Sequence, residues 1–128
     1  ISVLSLIEAK NRGYDNAIIL NNEGSIIEAA NANIFIVNEN KIYTPPLHDG
    51  CIDGTMRRLI ISLIPVNEIS IKLELLQEAQ EVFISNSISG IIPVKKVNNT
   101  SYLIQKTAKY IQKKIINLSE DCKVDLSK

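Results

Sequence analysis

Three short polar stretches carry the residues of this chain that could do chemistry. The first begins at Glu28, at the end of the apolar run Ser25-Ile26-Ile27, and continues through Ala29-Ala30-Asn31-Ala32-Asn33 into a second apolar run, Ile34-Phe35-Ile36-Val37. A carboxylate between two buried strands is costly unless it meets a cation or a hydrogen-bond donor. A protonated pyridine nitrogen is one such partner. An internal Arg or Lys, or simple exposure at a strand end, would also serve. The second stretch is the loop from Gly50 to Arg57, in which Gly54-Thr55-Met56-Arg57 opens a helix. The first N–H groups of a helix lack partners and suit an anion, phosphate above all. Gly54 allows close approach, although Asp53 as an N-cap and Gly54 as turn chemistry account for the same letters. The third is Ser85-Asn86-Ser87, running to Gly90. Its hydroxyls and amides could reach the same anion, or could satisfy their own backbone at a strand end. His48, the only histidine, follows Pro-Pro-Leu and reads as an exposed loop residue.

The elements that must position these stretches follow from periodicity. Residues 1–10 place apolar side chains at 3, 4 and 7, one face of a helix, and Gly13 suits its C-terminal cap. Ala17 to Leu20, Ser25 to Glu28, residues 33–37 and Ile42 to Thr44 read as a meander of short antiparallel strands, with turns at Asn21-Asn22-Glu23-Gly24 and Asn38-Glu39-Asn40-Lys41. Pro45-Pro46 stops the meander. A helix is expected over residues 55–63, ended by Pro65. Residues 69–73 alternate like a strand, 75–80 form a helical turn, and Val82-Phe83-Ile84 is a strand that breaks at Ser85. Residues 91–94 are expected to continue the sheet beyond Gly90. A last helix covers residues 103–118, with Ile104, Ala108, Ile111, Ile115 and Leu118 as its apolar stripe. The fold class is α+β.

Bulk properties exclude several classes. The chain has 128 residues, enough for one core of moderate size, with 14 basic and 14 acidic residues, so no net charge recommends nucleic acid or an anionic membrane as partner. No apolar run is long enough to span a bilayer. Cys51 and Cys122 stand far apart, form no metal motif and read as free thiols of a reducing cytoplasm. Ile1 is not an initiator methionine, and the first ten residues already read as the inside of a helix. The chain is therefore expected to be a piece of something longer.

Together the three stretches resemble the class IV, or fold type IV, pyridoxal-phosphate enzymes, which include branched-chain aminotransferase, D-amino-acid aminotransferase and aminodeoxychorismate lyase. "EAKNRGYDNAIILNNEGSIIEAANANIFIV" is similar to the family's helix, hairpin and cofactor-glutamate segment. "KIYTPPLHDGCIDGTMRR" is similar to its G-x-T/M-R phosphate segment, and "EVFISNSISGIIPV" to its second phosphate loop. The resemblance implies the large cofactor domain of a D-amino-acid-aminotransferase-like enzyme over residues 1–120, with a mixed, barrel-like sheet, flanking helices and a flexible tail at 121–128. It implies pyridoxal 5'-phosphate as cofactor, with Glu28 on the pyridine nitrogen, Thr55 and Met56 offering backbone N–H groups to the phosphate, Ser87 making a second phosphate contact, Asn31 and Ala32 on the cofactor side of the small-residue run, and Asn33 matching a cofactor-binding asparagine of the family. It implies no metal, a small-molecule substrate, and a homodimer in the parent protein. The family's Schiff-base lysine lies just before the opening helix, so no catalytic residue is assigned here; the lysine is expected upstream of Ile1, and Lys10 reads as a solvated side chain. The piece alone is expected to be inactive.

Met56 and Ala32 lean toward the lyase, which releases pyruvate from 4-amino-4-deoxychorismate to give 4-aminobenzoate. A branched-chain or D-amino-acid aminotransferase is the alternative. A non-catalytic binding or assembly module of the same fold is the reading from another class.

Overall fold

The computed structural model of the chain describes residues 10–121. Of the helix expected over residues 1–10, only Lys10 falls among them; it is helical and exposed, and the helix extends to Asn11. Gly13 follows at φ 88° and its N–H donates to the Lys10 carbonyl, the conformation a C-terminal cap requires. Cys122 and the rest of the expected tail lie outside the described residues.

A five-stranded sheet forms the centre, in the order β5-β4-β3-β6-β7. Its strands are β3 (Asn33–Asn38), β4 (Lys41–Thr44), β5 (Asn67–Glu68), β6 (Glu81–Asn86) and β7 (Gly90–Pro93). All neighbours are antiparallel except β4 and β5. Strands β1 (Ile18–Leu20) and β2 (Ile26–Ala29) make a separate ribbon, joined to the body through the Ile26–Ile71 bridge. Helices α1 (Thr55–Leu63), α2 (Leu73–Glu78) and α3 (Lys106–Asp121) flank the sheet. The protein is α+β with a mixed sheet.

Alternation along the two central strands sends side chains to opposite faces. Ile34, Ile36, Val82 and Ile84 join Ile26, Ile71, Leu76 and Tyr102 in one core. Phe35, Val37 and Phe83 join Ile60 and Ile64 beside α1, and Ala108 and Ile111 of α3, in the other. Phe35 and Phe83 are cross-strand partners, and their rings stack 5.0 Å apart. The same alternation puts Asn33 and Ser85, which pair with each other, on the α1 face at the end of the sheet.

Four expectations need correction. The meander splits, because β2 pairs with β1 while a tight Ala29–Ala32 bridge turns the chain into β3. The strand expected over residues 69–73 reduces to the lone Ile71 bridge, with the two-residue β5 ending just before it at Glu68. Only Ile71 of that alternating set is buried, and the helix-favouring Leu73-Glu74-Leu75-Leu76 winds into α2. Strand β6 runs on through Ser85 and Asn86 rather than breaking, since both residues find ladder partners in Ile91 and Gly90. The last helix starts at Lys106, and Ile104 stays half exposed outside its stripe. The ribbon of β8 (Lys96–Val97) and β9 (Thr100–Ser101), turned by Asn98 at φ 50°, has no counterpart in the sequence reading.

Candidate functional site

The fold brings all three polar stretches to one cleft. Glu28, Asn31, Asn33, Thr55, Met56 and Ser87, the six residues singled out from the sequence, all line it.

Glu28 is 7% exposed, and its Oε1 accepts the Ile52 N–H at 2.8 Å. No Arg or Lys pairs with it among the described residues, where its partner is the Ile52 N–H. Asn33 is buried and grips the same residue from the other side, its Nδ2 donating to the Ile52 carbonyl at 2.8 Å. Ile52 is therefore clamped through both backbone groups, and its exposed side chain borders the cleft. Asn33 acts on the loop that leads to α1. It also lines the cleft, where the cofactor side was expected.

Gly54 is the N-cap of α1, with no side-chain capping bond. Asp53, the capping residue anticipated from the sequence, instead stands 3.5 Å from Arg58. The N–H groups of Thr55 and Met56 thus have no partner among the described residues, and both residues line the cleft. Gly54 has an ordinary φ of −70°, so it is not needed for backbone freedom. A Cβ there would collide with Asn33 Oδ1. The close approach that requires glycine is that of a protein side chain.

Asn31 is exposed at the rim. Its Oδ1 accepts from Asn16 Nδ2 at 2.6 Å, and its carbonyl accepts from Asn86 Nδ2 at 3.3 Å. Asn16 Oδ1 also takes the Ala30 N–H, and Asn86 Oδ1 takes the N–H groups of Ile88 and Ser89. This amide chain holds the small-residue turn against the 86–89 turn. Asn31 thus shapes the wall, with its side-chain oxygen already engaged. Asn16 and Ile52 were not singled out from the sequence, and Asn86 entered only as part of the third stretch. Asn and Gly at turns signalled turn chemistry only, and main-chain roles leave no mark in residue type.

Arg57, 3% exposed, ties the start of α1 to the sheet by donating to the Pro45 carbonyl at 3.1 Å and to Glu68 at 2.7 Å. Beside it, burial pushes the Cys51 thiol up from its ordinary pKa and the Glu28 charge adds to the rise, while Arg57 opposes it. Cys51 is a free, buried thiol. His48 is exposed, as anticipated, and takes no part. No group of three or more metal-ligating side chains forms among the described residues.

This fold and cleft define a class. Residues 1–97 match the family model for amino-transferase class IV, and the chain belongs to that family, whose members use pyridoxal 5'-phosphate. The branched-chain-amino-acid aminotransferase of Escherichia coli is 36% identical over 102 residues, covering 76% of this chain and 33% of that protein. A structure of the E. coli branched-chain enzyme superposes with a TM-score of 0.88 at 33% identity, over 91% of this chain and 42% of that one. The branched-chain aminotransferase of Thermoproteus uzoniensis, solved with norvaline, gives 0.84 at 35% identity over 93% and 43%. A Legionella pneumophila protein proposed to be a 4-amino-4-deoxychorismate lyase gives 0.84 at 30% identity over 94% and 46%. The chain spans about a third of the length of the curated relatives it matches. No helix among the described residues is long and apolar enough to cross a membrane.

Proposed function

We propose that this chain supplies the cofactor-holding wall of a branched-chain-amino-acid aminotransferase. The observation that carries the cofactor assignment is the convergence, in one cleft, of a buried carboxylate with no cation partner among the described residues and an uncapped helix N-terminus. Their chemistry is complementary to the two ends of pyridoxal 5'-phosphate, a basic ring nitrogen and a phosphate monoester. The cleft measures about 140 Å³, below the roughly 300–1,000 Å³ that encloses a whole small ligand, so these residues make one side of the site.

In this reading Glu28 meets the ring nitrogen and holds a proton on it. The Ile52 N–H bond fixes the carboxylate's rotamer and leaves its second oxygen for the ligand. The Thr55 and Met56 N–H groups, strengthened by the helix dipole, hold the phosphate, and Ser87 closes over it from the rim. Asn33 keeps the loop in register, and the small turn 29–32 leaves room for a flat ring. When bound, the cofactor serves as an electron sink for carbanion chemistry at the substrate α-carbon. No lysine lines the cleft among the described residues, so the amine such chemistry needs comes from another segment.

The substrate assignment rests on the E. coli and T. uzoniensis enzymes. The lyase that Met56 and Ala32 favoured remains the second reading, supported by the Legionella structure at comparable superposition but lower identity. Incubation of the purified parent protein, extended upstream of Ile1 and loaded with pyridoxal phosphate, with leucine or valine and 2-oxoglutarate tests the choice. Glutamate formation is the expected result. Aminobenzoate and pyruvate from aminodeoxychorismate, without glutamate, would establish the lyase instead. Glu28→Gln is expected to lower turnover by about 100-fold, the scale of losing one preorganised electrostatic group, with the phosphate end of the site intact.

A further inference from the structure

Ser85 carries a hydroxyl with nothing to bond. The residue is 1% exposed, and its Oγ has no hydrogen-bond partner. Buried hydroxyls nearly always have one, so an orphan calls for a physical reason. The other side-chain atom of this kind among the described residues is Arg57 Nε, which belongs to a guanidinium already paired with Glu68 and lies outside the cleft lining.

Strand geometry accounts for where Ser85 faces. Phe83 packs with Ile60 of α1, and Ser85, two residues on, shares that face. It sits beside Asn33 in the ladder, where the sheet ends and α1 begins. Ser85 lines the cleft together with Gly54, Thr55 and Met56. An uncapped N-terminus of a nine-residue helix and an unpartnered buried hydroxyl therefore share one pocket corner.

We propose that the Ser85 hydroxyl is a hydrogen-bond donor to the anionic group seated at the N-terminus of α1, the terminal oxygens of a phosphate monoester. The inference rests on the cofactor reading of the cleft and adds a floor contact to it. A dianionic phosphate has three terminal oxygens, more acceptors than two helix N–H groups and one rim serine saturate. Ser85 reaches from beneath, on a strand whose rotation is fixed by its ladder, whereas Ser87 follows the end of β6 and is exposed. The hydroxyl is held ready without a ligand because no group of the described structure competes for it.

The test is a spectroscopic titration of the purified protein and of its Ser85→Ala and Ser85→Cys variants with pyridoxal 5'-phosphate and with pyridoxal, which lacks the phosphate. The thermal midpoint of each ligand-free protein is measured alongside. Ser85→Ala is expected to weaken pyridoxal 5'-phosphate binding about tenfold, the loss of one charge-assisted hydrogen bond, and to leave pyridoxal binding unchanged. The ligand-free midpoint should stay level or rise, because the substitution deletes an unpartnered group. Ser85→Cys, which keeps the side-chain shape with a weaker donor, should show the same selective loss. Equal weakening of both ligands, or unchanged affinity with a lowered ligand-free midpoint, overturns the inference and leaves the cofactor reading standing. A protein that binds neither ligand even without substitution overturns both.

Discussion

At the scale of single residues, the site is built from side chains that act on backbone. Glu28 and Asn33 hold the two sides of Ile52, and Asn33 in turn occupies the space a Cβ at Gly54 would need. Gly54→Ala is therefore expected to destabilise the protein by about 1–3 kcal/mol, the range for forcing an extra carbon into a packed site, and to weaken phosphate binding as the loop shifts. Chemical denaturation of Gly54→Ala, Asn33→Ala and the double variant measures this. The double variant should be markedly better than the two single costs added together, because removing Asn33 frees the space. The chemistry-bearing letters were legible in the sequence: Glu28, Thr55, Met56 and Ser87 announce themselves as a carboxylate between strands, a helix start and a strand end. What Asn31 and Asn33 touch was not legible. An amide can donate, accept or bridge, and only the fold decides which. Ser85 shows the opposite limit, a residue noticed in a polar break whose burial follows from two strands pairing far apart in sequence.

At the scale of elements, β6 has two ends with separate duties. Glu81 at its start is 1% exposed and caps α3, accepting the Thr107 N–H at 3.1 Å and the Ala108 N–H at 2.8 Å. A carboxylate buried against a helix N-terminus is held by those donors and by the helix dipole. Glu81→Ala is expected to cost about 2–3 kcal/mol in denaturation, from lost charge-assisted bonds, while ligand affinity per folded molecule stays unchanged, since Ser85 and Ser87 lie at the other end. Strongly periodic elements such as α1 and β3 were readable from apolar spacing, α1 to the residue. Short ones were not. β5 and the β8–β9 ribbon have two-residue strands, too short for any periodicity to register, and β5 exists because β4 offers it a parallel edge.

At the scale of the whole molecule, two buried acids of high pKa set a limit on alkaline stability. Burial raises Tyr102, whose hydroxyl donates to the Leu76 carbonyl at 2.5 Å, and burial is also the main cause that raises Cys51. Each group is neutral in the fold and ionises more readily once unfolded. Their stabilisation is fully present below the unfolded values, about 8.5 for Cys and about 10 for Tyr, and is lost as pH climbs through the raised folded values. The thermal midpoint is expected to fall progressively above about pH 8.5. Tyr102→Phe should flatten the upper part of that decline, at the cost of the Leu76 bond, and scanning calorimetry across the alkaline range reads both effects.

The pairing of β3 with β6 has a further consequence, for the order in which this protein becomes itself on the ribosome. Synthesis delivers Glu28, then the loop through Met56, long before Ser85 emerges to stand beside Asn33. Until then β3 is an exposed, almost wholly apolar edge, the kind that recruits other chains. That edge is covered when β6 docks, and the same pairing sets Ser85 beside Asn33 at the cleft. Completion of the cleft and closure of the β3 edge arrive together, so a chain with an assembled cleft has already covered its most exposed strand.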